Sequence, residues 1–167
     1  MQLGVHGIDL CQHLFGPITE VMAISQNLKP KRRLNNDRTV QSSLEDNVLA
    51  GYQFAAGHSG SHELSFTEVA GYDCFRLEVY FENTTVWLRT GKALAIVAKG
   101  TQGNTPLWGA IDLPDEALGM AHHRHWLEII REQAPVDDTP EVGLSTTVVA
   151  ENIYRAASNS ARVKIPA

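Results

Sequence analysis

Cysteine is scarce in this chain of 167 residues, which has only Cys11 and Cys74, too few for a disulfide framework or a zinc site. Long apolar runs are missing, so the sequence predicts no membrane span, and the opening residues MQLGVHGIDL lack the basic leader and cleavage site of a secretory signal. Positive charge is not in excess either, because 14 lysines and arginines stand against 19 acidic residues and the pI is about 5.8. We therefore expect a cytoplasmic protein that binds neither membranes nor nucleic acid.

The motifs that mark common catalytic and nucleotide-binding sites are also missing. The sequence contains no GxGxxG dinucleotide fingerprint, no GxSxG nucleophile elbow and no HExxH metal site. The run Gly100-Thr101-Gln102-Gly103 does not indicate a phosphate loop, because no predicted strand-to-helix turn follows it. A length of 167 residues fits one domain and leaves no room for a second, dinucleotide-binding domain. We expect a single domain over residues 1–167.

What the chain does have is an ordinary globular composition, with 43% hydrophobic and 20% charged residues. Helical spacing of apolar residues predicts one helix over 5–15, ended by Gly16-Pro17, and two more over 121–132 and from Glu141 onwards. Runs rich in β-branched and aromatic residues predict strands over 18–28, 48–56, 62–70, 75–82, 85–90, 93–98, 107–113 and 163–165. This order predicts an α+β fold, an open and mainly antiparallel β-sheet with helices packed on one face.

The polar segment 29–45, between the first two long strands, begins near the basic run KPKRR. Runs of this kind are usually solvated, so a surface loop is the favoured interpretation. The alternative is a basic patch that faces a phosphate or a cofactor.

Histidine is the side chain best suited to proton transfer near neutral pH, and the chain has seven. His6 lies at a predicted helix start with Asp9 one turn on, and spacing alone favours a partly buried histidine held by a carboxylate. His122 and His125 share a helix face and form a candidate metal pair. No third ligand stands at a standard offset from them, so a solvated first turn is favoured.

The remaining candidates have structural interpretations. His58 and His62 flank a predicted hairpin turn and could touch, but a structural role is favoured. The two cysteines have no CxxC partner and no basic neighbour that would lower the pKa of a thiol, so core packing is favoured for both.

The segment Gly4-Val5-His6-Gly7-Ile8-Asp9 resembles the D-x-G-x-H-x-x-D motif of the glucose–fructose oxidoreductase / inositol dehydrogenase (Gfo/Idh/MocA) family. Later segments resemble the C-terminal domain of that family in the same order, among them LFGPITEVMA, EDNVLAGYQFAAGHSGSHELSF and RLEVYFENTTVWL. The stretch from HHRHWLEII to ARVKI resembles the family's last helix pair and closing strand. Each motif is degenerate, but the ordered series covers nearly the whole chain and is fairly specific.

The resemblance implies which residues carry function. His6 falls on the family's catalytic histidine, which accepts or donates a proton during hydride transfer. Asp9 falls on the second aspartate of the motif, expected to orient the helix start at the substrate site. The first aspartate falls on Gln2, and here the chain departs from the family, since an amide can hydrogen-bond a substrate hydroxyl but cannot ionise. Gln2 and Asp9 are thus the expected substrate-binding residues, and strand 62–70 is expected to line the pocket with them.

The resemblance also implies a cofactor, NAD or NADP, and a larger protein. In the family an N-terminal Rossmann domain binds the dinucleotide, and its E-K-P motif supplies a catalytic lysine. Both are expected to lie outside this chain. The main hypothesis is therefore the C-terminal, substrate-binding and oligomerising domain of an NAD(P)-dependent oxidoreductase acting on a sugar, cyclitol or related polyol, inactive by itself.

Two other functions stay open. One is a non-catalytic binding or scaffold relative that has lost the acidic motif residue at Gln2. The other is a small metal-dependent enzyme built on His122 and His125. In the main hypothesis we also expect a homodimer or larger homo-oligomer, because the open face of an antiparallel sheet needs cover.

Overall fold

The computed structural model describes residues 4–34, 37–68, 75–89, 94–102, 105–112 and 118–166. The helices in these ranges are α1 (Gly4–Phe15), α2 (Leu118–Ile130) and α3 (Thr139–Asn159). The strands are β1 (Ile18–Gln26), β2 (Lys31–Arg33), β3 (Thr39–Gln41), β4 (Asn47–Phe54), β5 (Ser59–Ser65), β6 (Arg76–Tyr80), β7 (Thr85–Arg89), β8 (Leu94–Gln102), β9 (Thr105–Asp112) and β10 (Val163–Lys164). No helix in this described part of the chain is long and apolar enough to cross a membrane.

The chain divides into two compact units, one formed by Met1–Glu68 with Asp137–Ala167 and the other by Val69–Val136. The first unit contains α1, α3, the four-stranded sheet β10-β1-β4-β5 and the ribbon β2-β3. The second contains α2 and the four-stranded sheet β6-β7-β8-β9. Each strand pairing within the described residues is antiparallel, which confirms the predicted α+β class. The described strands form two sheets and a ribbon rather than the one sheet that the sequence predicts.

The core of the first unit lies between one face of its sheet and the two helices α1 and α3. Strand β4 alternates, so every second side chain turns inward to this layer. The buried apolar residues are Ile8, Ile18, Val21, Val48, Ala50, Tyr52, Phe54, Val149, Ala150, Ile153 and Ala156. Burying a large aliphatic side chain contributes about 1.5–3 kcal/mol, so this layer fixes α1 on the sheet.

Helix α1 ends as its sequence predicts, with a glycine in the left-handed conformation. Gly16 has φ +80° and its N–H donates to the Gln12 carbonyl at 2.9 Å. His58, on the turn between β4 and β5, adds a second contact, since its Nε2 lies 3.0 Å from the Phe15 carbonyl oxygen. The His58 ring also stacks on Phe54 at a centroid distance of 4.8 Å. The end of α1 is therefore tied to the β4–β5 hairpin.

The sheet of the second unit carries its own polar and aromatic contacts. Glu78 lies opposite Trp87 across the β6–β7 pair and accepts hydrogen bonds from Arg89 at 2.9 Å and from the Tyr80 hydroxyl at 2.8 Å. The rings of Trp87 and Trp108 lie 4.4 Å apart. Of these contacts, Glu78–Arg89 joins neighbouring strands, and a cross-strand pair of this kind stabilises an antiparallel sheet by about 0.2–1 kcal/mol.

Two segments predicted as loops contain strands. Segment 29–45 forms the ribbon β2-β3, in which Lys31 pairs with Gln41 and Arg33 with Thr39. Segment 99–106 is mostly strand as well, because β8 continues to Gln102 and β9 begins at Thr105. Polar residues indicated a loop in segment 29–45, and polar and glycine residues did so in segment 99–106, but backbone pairing between strands decided the structure of both.

Candidate functional site

His6 lies in the first turn of α1, with Asp9 one turn later, and both side chains are exposed. Within the described ranges neither side chain has a hydrogen-bond or ion-pair partner. The expectation from spacing alone, a partly buried histidine held by a carboxylate, is therefore wrong. An exposed imidazole at a helix start, where the first backbone N–H groups have no partner within the helix, is open to a ligand.

The turn of α1 that carries His6 rests directly on the ring of His62. Gly7 is buried, and a Cβ built on it would lie 2.4 Å from His62 Nε2 and 2.6 Å from its Cε1. Side chains do not approach one another so closely, so glycine is required at this position. Strand β5, which carries His62, thereby sets the position of α1 at the residue next to His6.

His62 is itself held by Tyr52 on the neighbouring strand β4. The Tyr52 hydroxyl and His62 Nδ1 lie 2.9 Å apart. Burial lowers the pKa of His62, which favours the neutral ring. Burial, together with the nearby Cys11, raises the pKa of Tyr52, so the phenol keeps its proton. The support under α1 is thus an uncharged, hydrogen-bonded pair.

Cys11 lies half-buried against the same core, and burial raises the pKa of its thiol. A thiol whose pKa is raised carries little thiolate near neutral pH and is a poor nucleophile. The predicted packing role of Cys11 fits this environment, whereas Cys74 lies outside the described residues.

The contact between His62 and α1 was not predicted from the sequence. The sequence pattern placed His58 and His62 together across a turn, but His58 faces the end of α1 while His62 faces Tyr52. The one available signal was Gly7, because a glycine inside a helical pattern often marks a close approach of another element.

Asp46 organises the basic segment that follows β1. Its carboxylate accepts the backbone N–H groups of Leu28 at 2.8 Å and Lys29 at 2.7 Å, and the Asn47 amide at 2.9 Å. The Arg32 guanidinium lies 3.7 Å away. Burial acts to raise the pKa of Asp46, but these donors outweigh burial and the pKa lies below its ordinary value. Asp46 is therefore an ionised anchor for the start of the basic segment.

A cleft of about 480 Å³ opens between the basic segment and the end of β5, where Phe66 and Thr67 line it. A narrow crevice lined by Gly4, Asp46 and Phe66 adjoins it and reaches the first residue of α1. Asp46 and Phe66 line both spaces, so the cleft and the helix start that carries His6 are neighbouring features of the first unit.

Among the described residues, the other predicted site residues do not lie in this region. Gln2 lies outside the described residues, as do residues 69–70 of the predicted strand 62–70. His122 and His125 are exposed on α2, in the second unit. Over the described ranges no group of three or more histidine, cysteine, aspartate or glutamate side chains is gathered for a metal ion.

Comparison with solved structures shows the same fold in several oxidoreductases. Levoglucosan dehydrogenase in complex with NADH is 19% identical, with a TM-score of 0.81 over 97% of this chain and 48% of that chain. An oxidoreductase domain protein from Kribbella flavida is 16% identical, with a TM-score of 0.81 over 98% of this chain and 49% of that chain. The super-repressor mutant of Gal80p from Saccharomyces cerevisiae is 11% identical, with a TM-score of 0.75 over 97% of this chain and 48% of that chain.

These identities show the fold alone, and the chain spans about half the length of the structures it matches. No curated protein sequence matches it. The family model for the GFO/IDH/MocA C-terminal domain does match, over residues 1–87, which is more than half of the chain. The chain therefore belongs to the Gfo/Idh/MocA family and carries the α+β fold of that family's C-terminal domain.

Proposed function

We propose that the chain is the substrate-binding and oligomerising domain of an NAD- or NADP-dependent oxidoreductase that acts on a sugar, a cyclitol or a related polyol. The observation that carries this proposal is the placement of His6, an exposed imidazole without a partner among the described residues, on the turn of α1 seated against His62. His6 also stands at the position of the catalytic histidine in the family motif. The similar structure of levoglucosan dehydrogenase with NADH and levoglucosan supports the sugar class.

In this proposal His6 moves the proton of the reacting hydroxyl. When a secondary alcohol is oxidised, the carbon loses a hydride, and the O–H proton passes to the neutral imidazole of His6. In the reverse direction the imidazolium returns that proton to the oxygen as the carbonyl is reduced. Asp9 orients the helix start and the bound substrate, and Gln2 hydrogen-bonds a substrate hydroxyl.

The nicotinamide cofactor supplies the hydride acceptor or donor when it is bound. The described residues fit its reactive end, because the first turn of α1 presents His6 to solvent. They offer no cradle for the pyrophosphate, since the sequence has no GxGxxG turn between a strand and a helix. We therefore place the dinucleotide on a separate N-terminal Rossmann domain, outside the 167 residues.

Turnover of the protein that joins this domain to its cofactor domain tests the role of His6. Loss of a general acid–base group lowers kcat by about 10²–10⁴-fold. We therefore expect the substitution His6→Ala to lower kcat by a factor in that range. His13→Ala is the matched control, because His13 is exposed on the last turn of the same helix. Equal kcat values for His6→Ala and the unaltered protein would remove His6 from the mechanism.

Binding of NADH to the 167-residue chain alone tests where the cofactor site lies. We expect no saturable change in NADH fluorescence when the chain is added, since the chain has no dinucleotide fingerprint. Tight binding of NADH by this chain would contradict the proposal that a separate domain holds the cofactor.

Oligomerisation is supported by the sheet face that α1 and α3 leave uncovered. Met22, Ile24 and Leu49 are 48%, 57% and 44% exposed, and Ile24 pairs with Leu49 across β1 and β4. An exposed group of neighbouring large apolar side chains is typical of an interface. Light scattering is expected to give a dimer or larger species, which Ile24→Lys weakens. A monomer at all concentrations would count against this part of the proposal.

A repressor-like binding protein is the second candidate function, favoured by the likeness to the Gal80p super-repressor mutant and by Gln2 at the acidic motif position. The two candidates differ in what His6→Ala does. Loss of turnover supports the oxidoreductase, whereas absence of turnover in the unaltered protein with NADH, NADPH and a panel of polyols supports the binding protein.

A further inference from the structure

The cleft beside the start of α1 has an excess of positive charge, although the chain as a whole carries a net charge of −5. Four cationic residues of segment 29–33 line the cleft, and only two carboxylates, Glu45 and Asp46, line it with them. A positively charged cleft attracts anions even when the net charge of the whole protein is negative.

Two of the four cations are already neutralised within the fold. Arg32 lies against the ionised Asp46 and donates to the Leu44 carbonyl at 2.5 Å. Arg33 forms an ion pair with Asp37. These two arginines therefore stabilise the ribbon β2-β3, and their charge is largely balanced.

Lys29 and Lys31 are different. Both residues are exposed and line the cleft, and neither side chain has an ion-pair or hydrogen-bond partner in the part of the chain that the structure describes. Their backbone is nonetheless well anchored, because the Lys29 N–H donates to Asp46 at 2.7 Å and Lys31 pairs with Gln41 in the ribbon. The cleft thus holds two lysines on a fixed backbone that lack an ion-pair partner among the described residues, beside the carboxylate of Glu45, which accepts from the Tyr154 hydroxyl at 2.6 Å.

Phe66 supplies a surface for a ring in the same cleft. Phe66 lines the cleft and is 57% exposed, and Thr67 lines the cleft as well. The Phe66 N–H donates to the Asp46 carbonyl at 2.8 Å, which ties this wall to the same anchor as Lys29. A cleft lined by both cationic and aromatic residues suits an anionic group attached to a ring.

We propose that Lys29 and Lys31 bind a phosphoryl group of a molecule whose ring packs on Phe66. A phosphate monoester carries a charge of about −1.5 to −2 near pH 7, which matches the two free ammonium charges. This inference rests on the proposed oxidoreductase function for its role, since the adjoining crevice reaches the start of the helix that carries His6. The phosphoryl group belongs to a phosphorylated sugar substrate or to the 2′-phosphate of NADP.

The test is binding to the 167-residue chain, measured by isothermal titration with inorganic phosphate, glucose 6-phosphate, glucose, NADPH and NADH. We expect saturable binding of inorganic phosphate and none of glucose or NADH. Stronger binding of glucose 6-phosphate than of inorganic phosphate assigns the group to the substrate. Stronger binding of NADPH assigns it to the cofactor.

Paired variants make the test specific. Lys29→Gln/Lys31→Gln is expected to weaken phosphate binding roughly tenfold or more, because it removes two charged donors. Lys164→Gln is the matched control, as Lys164 is an exposed lysine on β10 away from the cleft residues. Circular dichroism checks that both variants fold.

The proposal is overturned if the unaltered chain binds no inorganic phosphate, or if the double variant binds it equally well. Equal weakening by Lys164→Gln also overturns it, since that result shows general charge attraction. The measurement needs no turnover, so its failure leaves the role of His6 standing, and an inactive His6→Ala protein leaves the phosphate site standing.

Discussion

The Tyr52 hydroxyl and His62 Nδ1 lie 2.9 Å apart, and this hydrogen bond joins the sheet to the helix that presents His6. On one side of the His62 ring is the phenol, and on the other is Gly7 of α1. A group at the start of α1 therefore takes its position from two strands that lie far from it in sequence. Catalytic geometry depends on such support, because side chains must be held within a fraction of an ångström.

Removal of the phenol oxygen tests the first link of this support. Tyr52→Phe leaves His62 Nδ1 without its partner, and we expect the free energy of unfolding to fall by about 1 kcal/mol, the usual net value of such a bond. Urea denaturation followed by circular dichroism measures the change. Tyr80→Phe is the control for a hydrogen bond at the surface, since the Tyr80 hydroxyl donates to Glu78 but Tyr80 is 73% exposed, and its loss is expected to cost less. A Tyr52→Phe chain as stable as the original would show that the bond contributes nothing.

The contact between Gly7 and His62 predicts a large cost for one added methyl group. Gly7→Ala places a Cβ where the His62 ring lies, and overpacking of this kind costs about 1–3 kcal/mol. Gly143→Ala is the matched control, because Gly143 lies in α3 with nothing within 4 Å of the added Cβ. That control is expected to stabilise the chain by up to about 1 kcal/mol through helix propensity.

A double variant separates a clash from a general effect on α1. Gly7→Ala/His62→Ala removes the ring that the new methyl group meets, so the two changes together are expected to cost less than the sum of the single changes. Additive losses would mean that Gly7 is needed for a reason other than its contact with His62.

Acid is expected to weaken the same support. Burial lowers the pKa of His62 below the value of 6.5 that the unfolded chain has, so the unfolded state binds its proton first as the pH falls. The stabilisation is complete above pH 6.5 and is lost as the pH falls through that value toward the pKa of the folded state. Denaturant titrations at pH 7.5, 6.5 and 5.5 measure this, and His62→Gln is expected to flatten the dependence. An equal slope in the variant would assign the effect to other groups.

The strands and helices that are predicted well from the sequence are those in which the spacing of apolar residues matches the spacing of buried positions. In β4 the alternation of buried and exposed side chains is carried by Val48, Ala50, Tyr52 and Phe54, and in α3 the buried positions recur at helical spacing. The end of α1 at Gly16 follows from local backbone chemistry. These signals lie within each element and need no knowledge of its neighbours.

The elements that the sequence misses depend on distant partners. β5 begins at Ser59 rather than at the predicted residue 62, because Ser59 and Gly60 have the composition of a turn but pair with β4. The register places His62 opposite Ala50, on the inner face of the sheet. A shift of one residue would turn the His62 ring outward, and no local pattern specifies that choice.

The candidate site also has features that could be predicted from the sequence and features that depend on the fold. The motif resemblance points to His6 and Asp9, but spacing alone favoured a buried histidine, and the exposure of His6 comes only from the packing of α1. The basic run near residue 30 was visible as a charge pattern, whereas the partners of Arg32 and Arg33 had to be found in the fold. The same pairing leaves Lys29 and Lys31 without an ion-pair partner among the described residues.

The substitution Asp46→Asn tests whether the carboxylate of Asp46 holds the basic segment in place. In the unaltered protein the backbone N–H groups of Leu28 and Lys29 donate to separate oxygens of Asp46, at 2.8 and 2.7 Å. Asp46→Asn leaves only one acceptor oxygen on this side chain for the two N–H groups. One amide loses its partner, so hydrogen exchange at Leu28 or Lys29 is expected to become faster. Because the pKa of Asp46 is lowered in the fold, the stabilisation by its carboxylate is present at neutral pH and is lost as the pH falls through that lowered pKa. Asp37→Asn, on the exposed end of the ribbon, is the control and should leave both amides unchanged. Unchanged exchange at both amides in Asp46→Asn would show that the sheet alone holds the segment.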